Sequence, residues 1–249
     1  EIPTVGITTE QGHGTGLSLK GIRKGTHKVK YTMLTGKRRQ CSNEANERTY
    51  IYEDSLGVEV RLVTRLYNDG LAFRYETDDL GGEVVTGEHT QFVFDADIKR
   101  WTQPYAVGYE DFYFANTDGK VHNRSRKWNM PALFQPANST YVLLAEANVL
   151  RDQCGAYLSN AEDESVYQVK LFDERFTCPA VWKSPWRLAI VGSLSDVVES
   201  TLVTDVSDPC RLDDTSWIKP GVVSWIYWAH NHGSNDYQIV KQYVDFADT

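Results

Sequence analysis

Two glutamates stand where carboxylates are costly. Glu110 lies in Tyr109-Glu110-Asp111-Phe112-Tyr113-Phe114, and if residues 108–114 are extended its side chain shares a face with Phe112 and Phe114. A carboxylate on an aromatic face must be paired, bind a metal or line a cleft, because burying it alone is expensive. The plainer alternative is a Glu at a strand end that reaches water. Glu146 interrupts Tyr141-Val142-Leu143-Leu144-Ala145-Glu146-Ala147, which is otherwise apolar on both faces. Near the C-terminus, an apolar run over 222–228 leads into the His/Asn/Gly-rich loop Ala229-His230-Asn231-His232-Gly233-Ser234-Asn235.

Other chemistries find less support. His13, His27, His89, His122, His230 and His232 are scattered, without the His/Glu pairing that a sugar epimerase would need. Cys41, Cys154, Cys178 and Cys210 are widely spaced and contain no CxxC, so neither a zinc site nor a thioredoxin-type pair is indicated. Pairing in an oxidising compartment and burial as small hydrophobes both stay open for them. The 249 residues carry a net charge of −8, which argues against a nucleic-acid backbone or an anionic membrane as partner. No apolar run approaches the roughly 20 residues that span a bilayer. The opening Glu1-Ile2-Pro3 is compatible with removal of a signal peptide. Seven Trp and fourteen Tyr suit sugar-stacking surfaces, although most aromatic rings in a β protein fill its core.

The elements that must position these residues are mostly strands. Residues 1–50 are weakly patterned; short strands are expected at 17–22 and 29–31, a basic turn at 36–39 and a polar loop at 43–47. Val58, Val60, Leu62, Thr64 and Leu66 then alternate with Glu59, Arg61, Val63 and Arg65, the period of a half-buried strand. Asn68-Asp69-Gly70 offers positive-φ residues for a tight hairpin, and Leu71-Ala72-Phe73-Arg74-Tyr75 returns beside it. Further strands are expected at 90–95, 141–149, 166–171 and 186–191, with a short helix at 197–202. Many short strands with turn signals and almost no helix give an all-β sandwich or barrel. Beyond about residue 205 the pattern changes. Residues 222–228 read as a strand buried on both faces, and Tyr237, Val240, Val244 and Ala247 form a helical stripe that Ser234 or Asn235 can cap. Strand, loop and helix make the building unit of a parallel α/β fold.

Several stretches, in this order, resemble the N-terminal part of glycoside hydrolase family 97. They are Gly36-Lys37-Arg38 with Asn46-Glu47, Tyr67-Asn68-Asp69-Gly70-Leu71-Ala72-Phe73-Arg74-Tyr75, Tyr109-Glu110, Pro131-Ala132-Leu133-Phe134, and Ala145-Glu146-Ala147. Ser184-Pro185-Trp186-Arg187 follows, and the most specific is Asp214-Thr215-Ser216-Trp217-Ile218-Lys219-Pro220-Gly221. The resemblance implies a mainly β protein: a β-super-sandwich of the galactose-mutarotase type over residues 1–205, a linker at 206–221, and the first strand-helix unit of a (β/α)8 catalytic barrel at 222–249. It implies an α-glucosidase or α-galactosidase acting on oligosaccharides, in the periplasm or secreted.

In such barrels the reacting groups sit at the C-terminal ends of the strands. The resemblance then makes the loop at 229–235 a first rim, where Trp228 would stack on a sugar ring while Asn231 and His232 bond hydroxyls. Trp128, Asn129 and Met130 would form a loop reaching over the barrel to the sugar. The paired carboxyl groups of the family, whose separation sets inversion or retention, come from later barrel strands, so no catalytic residue is expected in this chain and no turnover from it alone. The family also holds Ca²⁺ through glutamates, one of them contributed by the sandwich. Matching the Tyr-Glu motif assigns that role to Glu110, with Glu146 as second choice; the alternative for Glu146 is a buried partner of an Arg such as Arg187. Trp225-Ile226-Tyr227-Trp228-Ala229-His230-Asn231-His232 departs from the acidic, Trp-rich form of the α-glucosidase branch and leans toward another sugar specificity. The competing reading is a free-standing carbohydrate-binding sandwich without catalysis, which has no use for an orphan strand-helix unit.

Overall fold

The computed structural model describes residues 1–2, 4–116, 126–150, 153, 155–230 and 233–248. In chain order the strands are β1 (Ile7–Thr9), β2 (Ser18–Thr32), β3 (Gln40–Glu53), β4 (Glu59–Tyr67), β5 (Gly70–Thr77) and β6 (Val84–Glu88). Then come β7 (Gln91–Val93), β8 (Lys99–Thr102), β9 (Phe114–Asn116), β10 (Lys127–Trp128), β11 (Ala132–Ala137) and β12 (Thr140–Ala147). The last are β13 (Ala156–Ser159), β14 (Val166–Leu171), β15 (Phe176–Thr177), β16 (Trp182–Lys183) and β17 (Trp186–Gly192). Helices α1 (Leu194–Glu199), α2 (Leu202–Asp205) and α3 (Tyr237–Ala247) follow. None of the described helices is long and apolar enough to cross a membrane.

The chain divides into two compact units, Glu1–Met33 with Lys37–Pro209, and Leu34–Gly36 with Cys210–Thr249. The first is a β-super-sandwich. Its large sheet runs β2-β3-β4-β5-β17-β12-β11-β8-β9, with β16 also on β5; smaller sheets run β10-β13-β14-β7 and β1-β6-β15. One core lies where the large sheet faces the small ones: Phe73, Tyr75, Phe134 and Leu144 meet Ile7, Val85, Phe92, Leu158, Tyr167 and Val169. A second core covers the other face of the large sheet, where Ala72, Ala145, Trp186, Leu188 and Ile190 pack with Val197, Leu202 and Val206 of the α1–α2 segment. Because both faces are covered, β4 buries Val60, Val63 and Tyr67 while Leu66 is exposed, so it is not the one-sided alternating strand that its sequence suggests.

The strand β12 sits centrally between β17 and β11, as its two-sided apolar run requires. The hairpin β4–β5 pairs Tyr67 with Gly70 across Asn68 and Asp69, neither of which adopts positive φ. The expected loop at 43–47 is instead part of β3, which pairs with β2 along its whole length. The expected helix at 197–202 is two short helices, α1 and α2, the first closed by a capping box between Ser193 and Asp196.

Among the described residues the second unit holds α3 and a single 3-10 turn at Gly233–Asn235. Asp236, not Ser234 or Asn235, caps α3, accepting bonds from the N–H groups of Gln238 (2.8 Å) and Ile239 (3.3 Å). Residues 222–228 form no strand. A parallel strand exists only through the ladder it makes with neighbours, and none of the described strands pairs with this run. Its side chains are correspondingly open, with Val222, Val223, Trp225 and Trp228 all exposed.

Candidate functional site

Strand register brings the central charges together. On the β12–β17 ladder Glu146 lies directly opposite Arg187, and on the β17–β5 ladder Arg187 lies opposite Phe73. Arg187 therefore points into the sandwich, where it is 1% exposed, and β6 delivers Glu88 to meet it. The guanidinium binds Glu88 with two bonds, Nε to Oε1 (2.9 Å) and Nη2 to Oε2 (2.6 Å), and Glu146 Oε2 through Nη1 (2.7 Å). Thr90 Oγ1 donates to Glu88 Oε1 (2.7 Å) and so accepts from the Tyr75 hydroxyl (2.7 Å), which itself accepts from the Gly6 N–H (2.9 Å). Two carboxylates share one cation, leaving a net negative charge indoors. Burial pushes the Glu146 carboxyl above the ordinary range, against the pull of Arg187 and the Ala156 N–H. Glu88 makes two of the three bonds to the guanidinium and Glu146 one.

Glu146 also anchors the Gly155–Ala156 backbone, which lines an open cleft. Its Oε1 accepts the Ala156 N–H (3.0 Å) at the start of β13. Gly155, next to it, has no side chain where one would crowd: a Cβ there would stand 3.2 Å from Glu146 Oε1 and 4.0 Å from the Tyr109 hydroxyl. Tyr105, Val107, Tyr109, Gly155, Ala156 and Phe172 line the cleft, about 200 Å³ in volume. Tyr105 packs on Tyr157 with centroids 4.8 Å apart and on Phe172 at 6.3 Å. The Tyr109 phenol is shifted upward by burial and then by the charge of Glu146.

The segment that carries Glu110 is irregular, not a strand, and Tyr109 within it has φ 55°. It is held from beneath. Asn129 Nδ2 donates to Gln103 Oε1 (2.6 Å) and to Pro104 O (3.3 Å). Gln103 Nε2 in turn donates to the carbonyls of Tyr109 (3.2 Å) and Asp111. Glu110 itself is exposed and joins no ion pair among the described residues. It does not sit on a buried aromatic face, because Phe112 and Phe114 are exposed as well.

Of the residues expected to touch sugar, Trp128, Asn129 and Met130 are buried, at 4%, 0% and 7% exposure, instead of forming a loop over a cleft. Trp128 is fixed in β10, its Nε1 donating to Asn160 Oδ1 (2.9 Å), and it joins the core with Met130. Asn129 acts one step removed, as the support of the Glu110 loop. Trp228 is exposed; Asn231 and His232 lie outside the described residues, as does Cys154. Cys41, Cys178 and Cys210 form no disulfide. Among the described residues no three His, Cys, Asp or Glu side chains gather as a metal site, so Glu110 offers one ligand and not a cage. Glu146 is committed to Arg187 and to a backbone N–H, the alternative weighed for it from the sequence. Glu88 and Gln103 escape sequence reasoning, since a lone Glu after a glycine and a lone Gln before a proline carry no periodic or motif signal.

A family model described as Glycosyl-hydrolase 97 N-terminal matches residues 3–209. A probable retaining alpha-galactosidase of Streptomyces bingchenggensis is 30% identical over 98% of this chain, and the retaining alpha-galactosidase of Bacteroides thetaiotaomicron is 23% identical over 84%. The chain spans 38% and 37% of their lengths. Among solved structures, a Glycoside Hydrolase Family 97 enzyme from Pseudoalteromonas sp. strain K8, in complex with acarbose, shares the fold with TM-score 0.84 at 22% identity, covering 98% of this chain and 40% of its own. A structure described as beta-arabinopyranosidase gives 0.80 at 26% identity, over 98% of this chain and 42% of its own. With the match running through nearly the whole sandwich, the chain belongs to the glycosyl-hydrolase 97 N-terminal family.

Proposed function

We propose that this chain is the front part of a glycosidase that hydrolyses α-galactosidic or α-glucosidic bonds in oligosaccharides, with α-galactosides the preferred class. The observation that carries the reading is the family match over residues 3–209. The galactoside preference is supported by the two curated relatives, both called retaining alpha-galactosidases, and by the departure of residues 225–232 from the α-glucosidase pattern. In this reading residues 222–249 begin the (β/α)8 barrel after a linker at 206–221, and the acid and nucleophile or base lie outside this chain. Trp228, Asn231 and His232 touch sugar at the rim. Export to the periplasm or the medium goes with the same reading.

Glu110 is the residue proposed to meet Ca²⁺. An exposed carboxylate on a loop braced by Gln103 and Asn129 suits a hard cation as one oxygen ligand among several. When bound, such an ion polarises the oxygens it coordinates. The residues of this chain hold Glu110 in place: Asn129 bonds Gln103, and Gln103 bonds the carbonyls on either side of the glutamate.

The test is hydrolysis of aryl α-galactosides and aryl α-glucosides by the complete protein. Turnover of at least one, with none by the 249-residue chain, is expected. A folded complete protein idle on both substrates would refute the reading. Glu110→Gln in the complete protein should weaken Ca²⁺ binding in titration calorimetry; unchanged affinity would remove Glu110 from the ligand set.

A further inference from the structure

The cleft beside Glu146 is not used by anything described so far. The geometry points to a binding site for a single pyranose ring, built entirely on the sandwich. This takes its choice of ligand from the glycosidase reading and adds a subsite to it. Three observations support it. The walls are aromatic: Tyr105, Tyr109 and Phe172 present rings to the cleft, and flat π faces pack against the C–H faces of a sugar. The floor is small: Gly155 and Ala156 add at most a methyl to the cleft, and the Tyr109 hydroxyl, 4.0 Å from where a Gly155 Cβ would stand, offers a donor-acceptor suited to a sugar hydroxyl. The volume of about 200 Å³ lies below the roughly 300–1,000 Å³ of sites that enclose drug-sized ligands, so it suits one ring and not a chain of them.

The same parts fit together mechanically. Glu146 is oriented by Arg187, and Arg187 by Glu88, so the Ala156 N–H that Glu146 accepts, and with it the Gly155–Ala156 side of the cleft, is held before any ligand arrives. Tyr109 is presented by the Gln103 bond to its carbonyl, and Phe172 is half exposed, with a ring already in contact with Tyr105. Apolar walls with a few placed polar groups are the general form of a small-molecule site.

The experiment uses the 249-residue chain, with methyl α-D-galactopyranoside and methyl α-D-glucopyranoside as probes, read by saturation-transfer NMR and titrated for Kd. Millimolar binding of at least one probe is expected, weakened about tenfold or more by Phe172→Ala, with an unchanged circular dichroism spectrum. If Phe172→Ala does not fold, Tyr109→Phe supplies a second reading: removal of one hydroxyl should weaken binding several-fold. No binding by the unmodified chain overturns the site, and so does binding that the folded variants retain in full. Either failure leaves the glycosidase reading to its own hydrolysis assay, because the probes report occupancy and not turnover.

Discussion

Removing Arg187 would leave Glu88 and Glu146 facing each other indoors with no cation between them. A buried ion pair is a modest net stabiliser, because desolvation offsets most of its attraction; breaking one by deleting a single partner is far more damaging. Arg187→Met is therefore expected to cost about 3–5 kcal/mol in urea unfolding. A loss below about 1 kcal/mol would mean that water or a cation takes its place. Glu146 has a second signature, in pH. Its carboxyl is raised in the folded state, chiefly by burial, so the folded protein holds this proton more tightly than the unfolded chain does. The contribution of Glu146 is thus fully present below the ordinary carboxylate range and is lost as pH climbs through the raised value. Glu146→Gln should flatten the decline in stability that sets in as pH rises above the ordinary carboxylate range; an identical slope in the variant would show that the carboxyl is not raised. The sequence exposed half of this cluster. Glu146 inside an apolar strand demanded a partner, and Arg187 was the natural one. Glu88 could not be foreseen, because only the fold of β6 against β17 brings it within reach. Asn129 read as a sugar contact and proved a support, since a buried amide and an exposed one look alike in sequence.

At the scale of elements, the hairpin β4–β5 shows how close the sheet packs. Gly70 opens β5, and a Cβ there would lie 2.4 Å from the carbonyl oxygen of Ala189 and 3.0 Å from the Ile190 Cα. Both are backbone atoms of β17, which cannot swing aside as a side chain could. Gly70→Ala should cost about 1–3 kcal/mol by denaturant unfolding, as other overpacked sites do. A neutral substitution would mean that the β5–β17 pairing can separate without loss. Elements with strong local signals were legible: the Asn68-Asp69-Gly70 turn, the two-sided apolar β12, the strands β14 and β17, and the stripe of α3. The long hairpin β2–β3 was legible only in part: the short strands expected at 17–22 and 29–31 both map onto β2, while residues 43–47 of β3 read as a loop. Its outer strand is largely exposed along its length and carries Lys20, Arg23, Lys24, Lys28 and Lys30. An edge strand protected by charge shows its alternation only in short stretches, so its full length is not marked in sequence. The two short helices after β17 blurred into one for a related reason, because four to six residues hold too few turns to show a period.

At the scale of the molecule, the tail is where sequence and structure part, and the disagreement is informative. Residues 222–228 read as a strand buried on both faces, yet Val222 is fully exposed and Trp228 is 83% exposed. Helix α3 has the same difficulty: Tyr237, Val244 and Phe246 are exposed on an element of 11 residues with none buried. Isolated helices shorter than about 12–15 residues are marginal in water, and the Asp236 cap and the Lys241–Asp245 pair add only a little. Local sequence therefore specifies a strand that pairs with none of the described strands and a helix with no buried residue. If they begin a barrel, neighbouring strands of the complete protein will satisfy the amides of 222–228 and cover the apolar stripe of α3. Hydrogen exchange followed by mass spectrometry distinguishes the two states directly. Peptides spanning 222–228 and 237–247 should exchange quickly in the 249-residue chain, and about a hundredfold or more slowly in the complete protein, while β12 and β17 are equally protected in both. Equal, rapid exchange of the tail in both proteins would show that the apolar run never becomes a strand, and the barrel reading would fall with it.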